Sequence, residues 1–302
     1  MHLKLKQHYK AYLLVGYAFL LLIHFIAKDH VFPLSIVFYA FPLPILIVIG
    51  LCLTGLFFRR LSYALPTLAL TVLLVIIWKT NYYFSTEKVY RQNSSKVLFW
   101  NLAKRAQLPV DQISDKVKTH QPEILSFVEA PHTTLKNLDD LKLALPNYNF
   151  KTLKGAMLVA AKGDIELLKH EYKDDSHKIN MVQISNNSKH LKIIITDLTA
   201  SVFINKKQPV NIVLGIAKAN AVDFIAGDFN TPYESVFFKE YKTNYNSFHN
   251  YNNGFTATWP LGIPLFEIDH IWISKQHEPI RLNKYYNDAS DHALLISEFE
   301  IH

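Results

Sequence analysis

The chain has 302 residues, of which 50% are hydrophobic, and its formal net charge is +7. Residues 1–79 hold seven basic side chains and one acidic side chain, whereas residues 80–302 hold 25 basic and 24 acidic ones. This nearly neutral second part weighs against a nucleic-acid-binding domain, because the neutralisation of phosphates normally needs a clearly basic surface. The one cysteine, Cys52, excludes an intramolecular disulfide and a cysteine metal site.

Three apolar runs open the chain. They lie at about residues 11–27, 34–58 and 61–78, and each is near or above the roughly 20 apolar residues that a helix needs to cross a bilayer. Three prolines in the second run predict a kink or a late start for that helix. No cleavage site with small residues follows the first run, which argues against a signal peptide. We therefore predict a membrane anchor of three transmembrane helices in residues 1–79.

Basic residues predict the orientation of this anchor. Lys4, Lys6 and Lys10 flank the first span, and Arg59–Arg60 separate the second from the third. Both groups belong on the cytoplasmic side under the positive-inside rule, although a lysine at the opposite end of the first and third spans goes against it. The prediction is an integral membrane protein with a cytoplasmic N-terminus and an extracytoplasmic domain after the third span.

A polar and aromatic linker at residues 80–95 is predicted to lead into a domain at residues 96–302. The predicted strands are Lys96–Asn101, Glu123–Glu129, Tyr148–Leu153, Ala156–Ala161, Lys178–Ser185, Leu191–Asp197, Val222–Ala226, Phe266–Ser274 and His292–Ile301. The predicted helices are Asp111–His120, Thr133–Leu145, Pro209–Ala219 and Glu234–Tyr241. Strands interspersed with helices indicate an α/β sandwich with mixed sheets. No glycine-rich phosphate loop of a known nucleotide-binding kind occurs.

Polar side chains collect at the ends of six predicted strands. They are Asn101, Glu129, Asp197, the pair Asp228 and Asn230, Asp269 before His270, and Asp291 before His292. A turn or a capped strand explains any one of them. Taken together they indicate a site, because an isolated charge beside an apolar strand is costly unless it is paired or bound to a metal. Strand ends are also where α/β architectures place chemistry.

The order of the motifs resembles the endonuclease/exonuclease/phosphatase superfamily, whose fold is that of pancreatic deoxyribonuclease. The motifs are Trp100-Asn101, the strand ending in Glu129, Gly227-Asp-Phe-Asn230, Ile268-Asp-His-Ile271 and Ser290-Asp-His292. The resemblance covers about residues 97–299, and residues 254–260 also resemble extracytoplasmic, membrane-anchored members. It implies a four-layer α/β sandwich, with two packed mixed sheets flanked by helices, and metal-dependent cleavage of a phosphate ester.

The resemblance also implies roles for single residues. Glu129 matches the main ligand of a divalent metal, Mg²⁺ or Mn²⁺, while Asn101 and Asp291 match a helper and a second ligand on the metal side. For catalysis, Asp228 matches the carboxylate that orients or deprotonates the attacking water. The other matched residues are Asn230, an amide that binds a phosphoryl oxygen, and His292, a phosphate contact that Asp269 orients.

Asp197 departs from the family pattern. Members usually carry Thr-His-Leu where this chain has Thr-Asp-Leu, and their histidine contacts phosphate or acts as a general acid. An aspartate can donate a proton only if burial or a neighbouring carboxylate raises its pKa. The departure indicates either a leaving group that needs little acid assistance, such as phosphate or pyrophosphate, or reduced activity.

The sequence alone is compatible with three functions. The favoured one is a membrane-anchored phosphohydrolase whose partners are the lipid bilayer and a phosphate or pyrophosphate substrate, lipid-linked and at the outer face. The second is an extracytoplasmic nuclease, against which the lack of a basic domain counts. The third is a catalytically degenerate binding module that has lost turnover at Asp197. Metal affinity at Glu129 separates the third from the other two.

Overall fold

The computed structural model describes residues 2–86, 94–105, 107–130, 135–186 and 189–301. The chain forms two compact units, Met1–Tyr83 and Phe84–His302. The threonines at the start of the predicted helix Thr133–Leu145 lie outside the described residues.

The first unit is helical. Its helices are α1 (His2–Leu22), which continues in a π-helical turn (Ile23–Ala27), α2 (Leu34–Ala40), α3 (Leu43–Leu56) and α4 (Leu61–Tyr82). Judged by length and composition, Tyr9–Ala27 and Leu61–Tyr82 are each able to cross a membrane. Helices α2 and α3 pass the same test only as a pair, and a bend of 78° separates them. Pro42 lies at this bend, where a residue without an N–H group ends one helix and begins the next.

The second unit holds most of the strands. They are β1 (Tyr83–Phe84), β2 (Ser94–Asn101), β3 (Ile124–Val128), β4 (Asn149–Leu153), β5 (Met157–Ala161), β6 (Asp164–Lys173), β7 (His177–Asn186), β8 (Lys189–Leu198), β9 (Phe224–Asp228), β10 (Tyr245–Ser247), β11 (Gly254–Phe255), β12 (Asp269–Ser274), β13 (Glu278–Asn287) and β14 (Ser290–Glu300). Its helices are α5 (Val110–His120), α6 (Leu135–Ala144), α7 (Lys207–Ala219) and α8 (Lys239–Asn244), with 3-10 turns at Val236–Phe238 and His249–Tyr251.

Two six-stranded sheets organise this unit. Sheet one has the order β13-β14-β2-β3-β5-β4, and sheet two has the order β10-β12-β9-β8-β7-β6. Strand β2 runs parallel to β3, and β8 runs parallel to β9. Each parallel pair is joined by a crossover that contains a helix, α5 in the first and α7 in the second. The remaining pairs are antiparallel, so both sheets are mixed.

Three apolar clusters define the layers. The first lies between the sheets and joins residues such as Phe99 and Leu295 of sheet one to Ile195 and Phe224 of sheet two. The second joins α5 and α6 to the outer face of sheet one, and the third joins α7 and α8 to the outer face of sheet two. The predicted four-layer α/β sandwich is therefore confirmed.

Some predicted elements differ from the observed ones. Strands β6 and β13 are absent from the prediction because they are edge strands, whose many charged side chains obscure the apolar alternation. The predicted strand at Phe266–Ser274 begins only at Asp269, since Phe266 pairs with Trp259 in an isolated bridge. The predicted helix at Glu234–Tyr241 is a 3-10 turn followed by α8.

Candidate active site

Three acidic side chains lie side by side at the ends of three adjacent strands of sheet two. Asp197 is near the end of β8, Asp228 ends β9 and Asp269 begins β12. The strand register pairs Asp228 with both of the other acids. All three are buried. Like charges in a buried row repel one another, so neighbouring groups must compensate them.

Asn101 connects this row to sheet one. It ends β2, and its Nδ2 donates a hydrogen bond of 2.8 Å to Asp228 Oδ2. Its Oδ1 accepts a hydrogen bond of 2.8 Å from the backbone N–H of Ala103, which fixes the orientation of the amide. The site therefore lies where the ends of the two sheets meet.

His292 adds a positively charged side chain to this row of acidic residues. Its Nδ1 lies 2.9 Å from Asp269 Oδ2, and its Nε2 lies 3.9 Å from Asp228 Oδ2. Burial lowers the pKa of His292, but the carboxylates of Asp269, Asp228 and Asp291 outweigh that effect and raise the pKa to about 10. The imidazole is therefore protonated at neutral pH, with Nδ1–H donating to Asp269.

The backbone after β9 positions Asp228 and Asn230 together. The N–H of Asn230 donates a hydrogen bond of 2.8 Å to Asp228 Oδ1. Asn230 has a φ of 46°, a left-handed conformation that asparagine tolerates better than most residues. Its Nδ2 donates one hydrogen to Leu198 O at 2.9 Å, and within the described part of the chain the second amide hydrogen has no acceptor. Burial and then the charge of Asp269 raise the pKa of Asp228 well above its ordinary value.

Two lysines accompany Asp197, the residue that departs from the family pattern. Lys178 lies opposite Asp197 in the register of β7 and β8, and its Nζ is 2.5 Å from Asp197 Oδ2. Lys206 is buried and donates a hydrogen bond to Thr199 O. Burial raises the pKa of Asp197, and Lys178 opposes this. Burial lowers the pKa of Lys206 to about 8, against the effect of Asp228 and Asp197.

Glu129 and Asp291 make contacts at the margin of this group. Glu129 follows β3 and has a φ of 52°. It comes directly after Val128, which pairs with Asn101 in the strand register. Its Oε1 lies 3.2 Å from Lys104 Nζ. Asp291 Oδ2 accepts a hydrogen bond of 2.8 Å from Trp259 Nε1. The structure thus brings Asn101 and the acid row together with His292, whereas these two carboxylates have other partners.

The arrangement fits a divalent cation. Atoms of Asp228, Asp269 and His292 that are of the kind that binds metals lie within 4.8 Å of one another, although a protonated His292 has no lone pair to give. Among the described residues, Asp269 Oδ1 and Asp291 Oδ1 are buried and have no hydrogen-bond partner. Buried carboxylate oxygens without a partner are costly, and hard cations prefer such oxygens as ligands.

Lys178, Lys206 and Trp259 lie at the site and are not predicted from the sequence. A lysine usually indicates a solvent-exposed surface, so a lysine in a predicted strand gives no signal of a buried site. The strand register is what identifies Lys178, because Lys178 of β7 pairs with Asp197 of β8.

Two mixed sheets flanked by helices are the architecture of a class of phosphoester hydrolases that includes nucleases and phosphatases. The chain belongs to the Endonuclease/Exonuclease/phosphatase family, whose sequence profile matches residues 98–292. Its members are generally dependent on a divalent metal. No curated protein matches the sequence.

Solved structures of the same fold share little sequence with this chain. A family protein from Bacteroides thetaiotaomicron has a TM-score of 0.55 and 16% identity, covering 70% of this chain and 100% of that one. The mannosyl-6-phosphatase of Bacteroides thetaiotaomicron has a TM-score of 0.53 and 14% identity, covering 68% and 99%. D. rerio TDP2 complexed with a single-strand DNA product has a TM-score of 0.52 and 13% identity, covering 68% and 99%. At these identities the likeness concerns the fold.

Proposed function

We propose that this chain is a membrane-anchored, divalent-metal-dependent phosphohydrolase that cleaves a lipid-linked phosphate ester or pyrophosphate at the outer face of a membrane. One observation carries the proposal: Asn101 of sheet one bonds Asp228 of sheet two, beside the ion pair of Asp269 and His292. A carboxylate next to an imidazolium offers both a base for water and a positive charge for phosphate.

In this proposal Asp228 orients the attacking water and takes its proton. Hydrogen bonds from Asn101 and from the backbone of Asn230 hold both of its oxygens. Its raised pKa makes it a stronger base than an exposed aspartate, provided that it is ionised when water binds. The imidazolium of His292 and the unused amide hydrogen of Asn230 bind the phosphoryl oxygens, where negative charge increases in the transition state.

We assign the metal to Glu129, with Asn101 and Asp291 as the other residues that would hold it. Bound there, Mg²⁺ or Mn²⁺ supplies charge stabilisation to the phosphoryl oxygens. The set of Asp228, Asp269 and His292 suits these ions less, because Mg²⁺ prefers oxygen ligands and His292 Nδ1 is already bonded to Asp269. In this assignment the unpartnered Oδ1 of Asp291 is an oxygen that is available to the metal.

In this proposal Lys178 compensates in part for the missing histidine. Its ammonium pairs with Asp197, the residue that stands at the position of that histidine in the sequence, and adds a positive charge beside it. An ammonium group has three N–H donors, so those that Asp197 does not use are able to bind a phosphoryl oxygen. A phosphate or pyrophosphate leaving group, which needs little acid assistance, agrees with this arrangement.

The membrane assignment rests on the first unit of the chain. Two of its segments are long and apolar enough to cross a bilayer, and the bent pair α2 and α3 is a third candidate. Three crossings with a cytoplasmic N-terminus leave the second unit outside. A substrate that is itself in the membrane suits an enzyme held there.

The nuclease alternative has one observation in its favour. D. rerio TDP2, which shares the fold, was solved with a single-strand DNA product. Against it stands the near balance of 25 basic and 24 acidic side chains in residues 80–302. DNA and RNA therefore belong in the substrate test.

The test is a panel of phosphates offered to the full-length chain in detergent. Polyprenyl phosphate, polyprenyl pyrophosphate, phosphatidic acid, a sugar phosphate, plasmid DNA and RNA are each incubated with Mg²⁺, with and without EDTA. We expect phosphate release from a lipid substrate, its loss in EDTA, and a fall of about 100-fold or more in Glu129→Gln, since a metal ligand is removed.

Glu240→Gln is the matched control, because Glu240 is an exposed glutamate paired at 3.9 Å with Lys218. Cleavage of nucleic acid but of no lipid phosphate would replace the proposal with the nuclease. Failure to bind Mg²⁺ or Mn²⁺, together with no turnover, would leave the degenerate binding module.

A further inference from the structure

An apolar hairpin, defined as Trp259–Phe266, projects beside the site. Its sequence is Trp-Pro-Leu-Gly-Ile-Pro-Leu-Phe, and an antiparallel bridge joins its first and last residues. At its tip, Leu261 is 61% exposed and Ile263 is 52% exposed. Gly262, with a φ of 78°, allows the tight turn between them. Two large aliphatic side chains facing water are unfavourable, and apolar surface of this kind marks a contact site.

The apolar hairpin is attached to the strand that carries the catalytic histidine. The N–H of Leu261 donates a hydrogen bond of 2.8 Å to Asp291 O. The Trp259 ring lies 6.4 Å from the ring of His292, and its Nε1 bonds the Asp291 carboxylate. Leu261, at the tip of the apolar hairpin, is therefore two residues along the chain from Trp259, whose side chain contacts Asp291 and His292.

A basic side chain lies in a neighbouring loop. The ring of Tyr286, near the end of β13, packs against Gly262. The turn that follows β13 accepts, at Ala289 O, a hydrogen bond of 3.1 Å from Arg105 Nε, and Arg105 is exposed. Apolar side chains with an exposed cation in an adjoining loop match the chemistry of a bilayer surface, where hydrocarbon lies beneath anionic headgroups.

We propose that the apolar hairpin inserts into the surface of a lipid bilayer and holds the active site at the level of the headgroups. This inference rests on the proposed function, since it makes the substrate a phosphate that is presented at a membrane. A protein partner fits the hairpin less well, because protein interfaces include hydrogen bonds and the side chains at this tip offer none.

The first test measures insertion and needs no enzyme activity. In a Cys52→Ser background, Ile263→Cys carries a fluorophore, and the full-length chain is placed in nanodiscs that contain lipids with a spin label on the acyl chain. Leu143→Cys is the control. Leu143 is 81% exposed near the end of α6, and the following strand β4 begins opposite Ala161, at the sheet edge away from the site.

We expect strong quenching of the fluorophore at position 263 and little at position 143. Equal quenching at the two positions, or none at position 263, would overturn the proposal. This readout remains valid even if the chain hydrolyses no phosphate.

The second test measures substrate preference. The double variant Leu261→Ser, Ile263→Ser is compared with Leu143→Ser on a long-chain phosphate in bilayers and on a short-chain, water-soluble analogue. We expect the ratio of the two kcat/KM values, bilayer over soluble, to fall about tenfold or more in the double variant, because the burial of two aliphatic side chains is lost. The ratio in Leu143→Ser should equal that of the wild type.

A parallel loss on both substrates would show that the apolar hairpin only supports the fold around Asp291, and the inference would be wrong. A wild-type chain that hydrolyses neither substrate would count against the proposed function instead, and the quenching result would then decide the question of the hairpin.

Discussion

The carboxylates around His292 stabilise the protonated form of its imidazole. Because the pKa of this histidine is raised from 6.5 to about 10, the pairing stabilises the folded state fully below pH 6.5 and loses that effect as the pH rises through about 10. Asp269 makes the shortest of these contacts, at 2.9 Å. Asp269 therefore determines both the charge and the orientation of the imidazole.

Replacement of Asp269 tests this role. In Asp269→Asn we expect kcat to fall by about 10²- to 10⁴-fold, as expected when a positioned acid–base group is lost, because the imidazole loses both its charge and its orientation. Steady-state kinetics of the full-length chain on its phosphate substrate measure the effect. Asp223→Asn is the matched control, since Asp223 also pairs with a buried histidine, His277, at 3.3 Å.

If Asp269→Asn and Asp223→Asn lower kcat by the same factor, the loss reflects the general cost of removing a buried carboxylate, and Asp269 has no special role.

At the scale of elements, β8 and β9 are in close contact at Gly227. A Cβ atom at this position would lie 2.3 Å from Thr196 Cγ2 and 2.4 Å from Thr196 O. Asp228 follows directly, so the close approach of the strands also sets the spacing between Asp228 and Asp197. Glycine is the residue that permits this contact, since it has no side chain.

Gly227→Ala is expected to destabilise the fold by about 1–3 kcal/mol, because the added methyl group meets backbone that cannot move freely. Thermal unfolding of the full-length chain, followed by tryptophan fluorescence, measures the change. Gly215→Ala is the control, since a Cβ at that position of α7 meets nothing within 4 Å. Alanine there should be neutral or stabilise the helix by up to about 1 kcal/mol.

An unchanged Tm for Gly227→Ala would mean that β8 and β9 can separate without cost, and the spacing of the acids would need another explanation.

The elements also show which parts of the fold can be predicted from the sequence. Strands β3, β8 and β9 are predictable because each contains a short apolar run that is closely followed by an acidic residue, which is Glu129, Asp197 or Asp228. The edge strands β6 and β13 are not, because their solvent-facing charges hide the alternation. Asp228 is recognisable at the end of its strand, but the burial of Lys206 depends on contacts with Thr199 and the acid row that only the folded chain brings about.

For the whole molecule, the proposed orientation places the second unit outside the membrane. We expect Leu143→Cys, in a Cys52→Ser background, to react with a membrane-impermeant maleimide on intact cells. Gln7→Cys, which precedes the span Tyr9–Ala27, should react only after lysis, since it lies on the cytoplasmic side under the positive-inside rule. Labelling in the reverse pattern would place the site in the cytoplasm and contradict the outer-face proposal.

The hydrogen bond between Asn101 and Asp228 crosses from one sheet to the other. In the proposed mechanism, turnover depends on the alignment of the two sheets, which are held together by apolar contacts such as those of Phe99 in the shared core. A small slip of one layer against the other would separate the amide from the carboxylate while both sheets stayed intact. We therefore expect the proposed catalysis to be lost under milder denaturing conditions than those that unfold the domain.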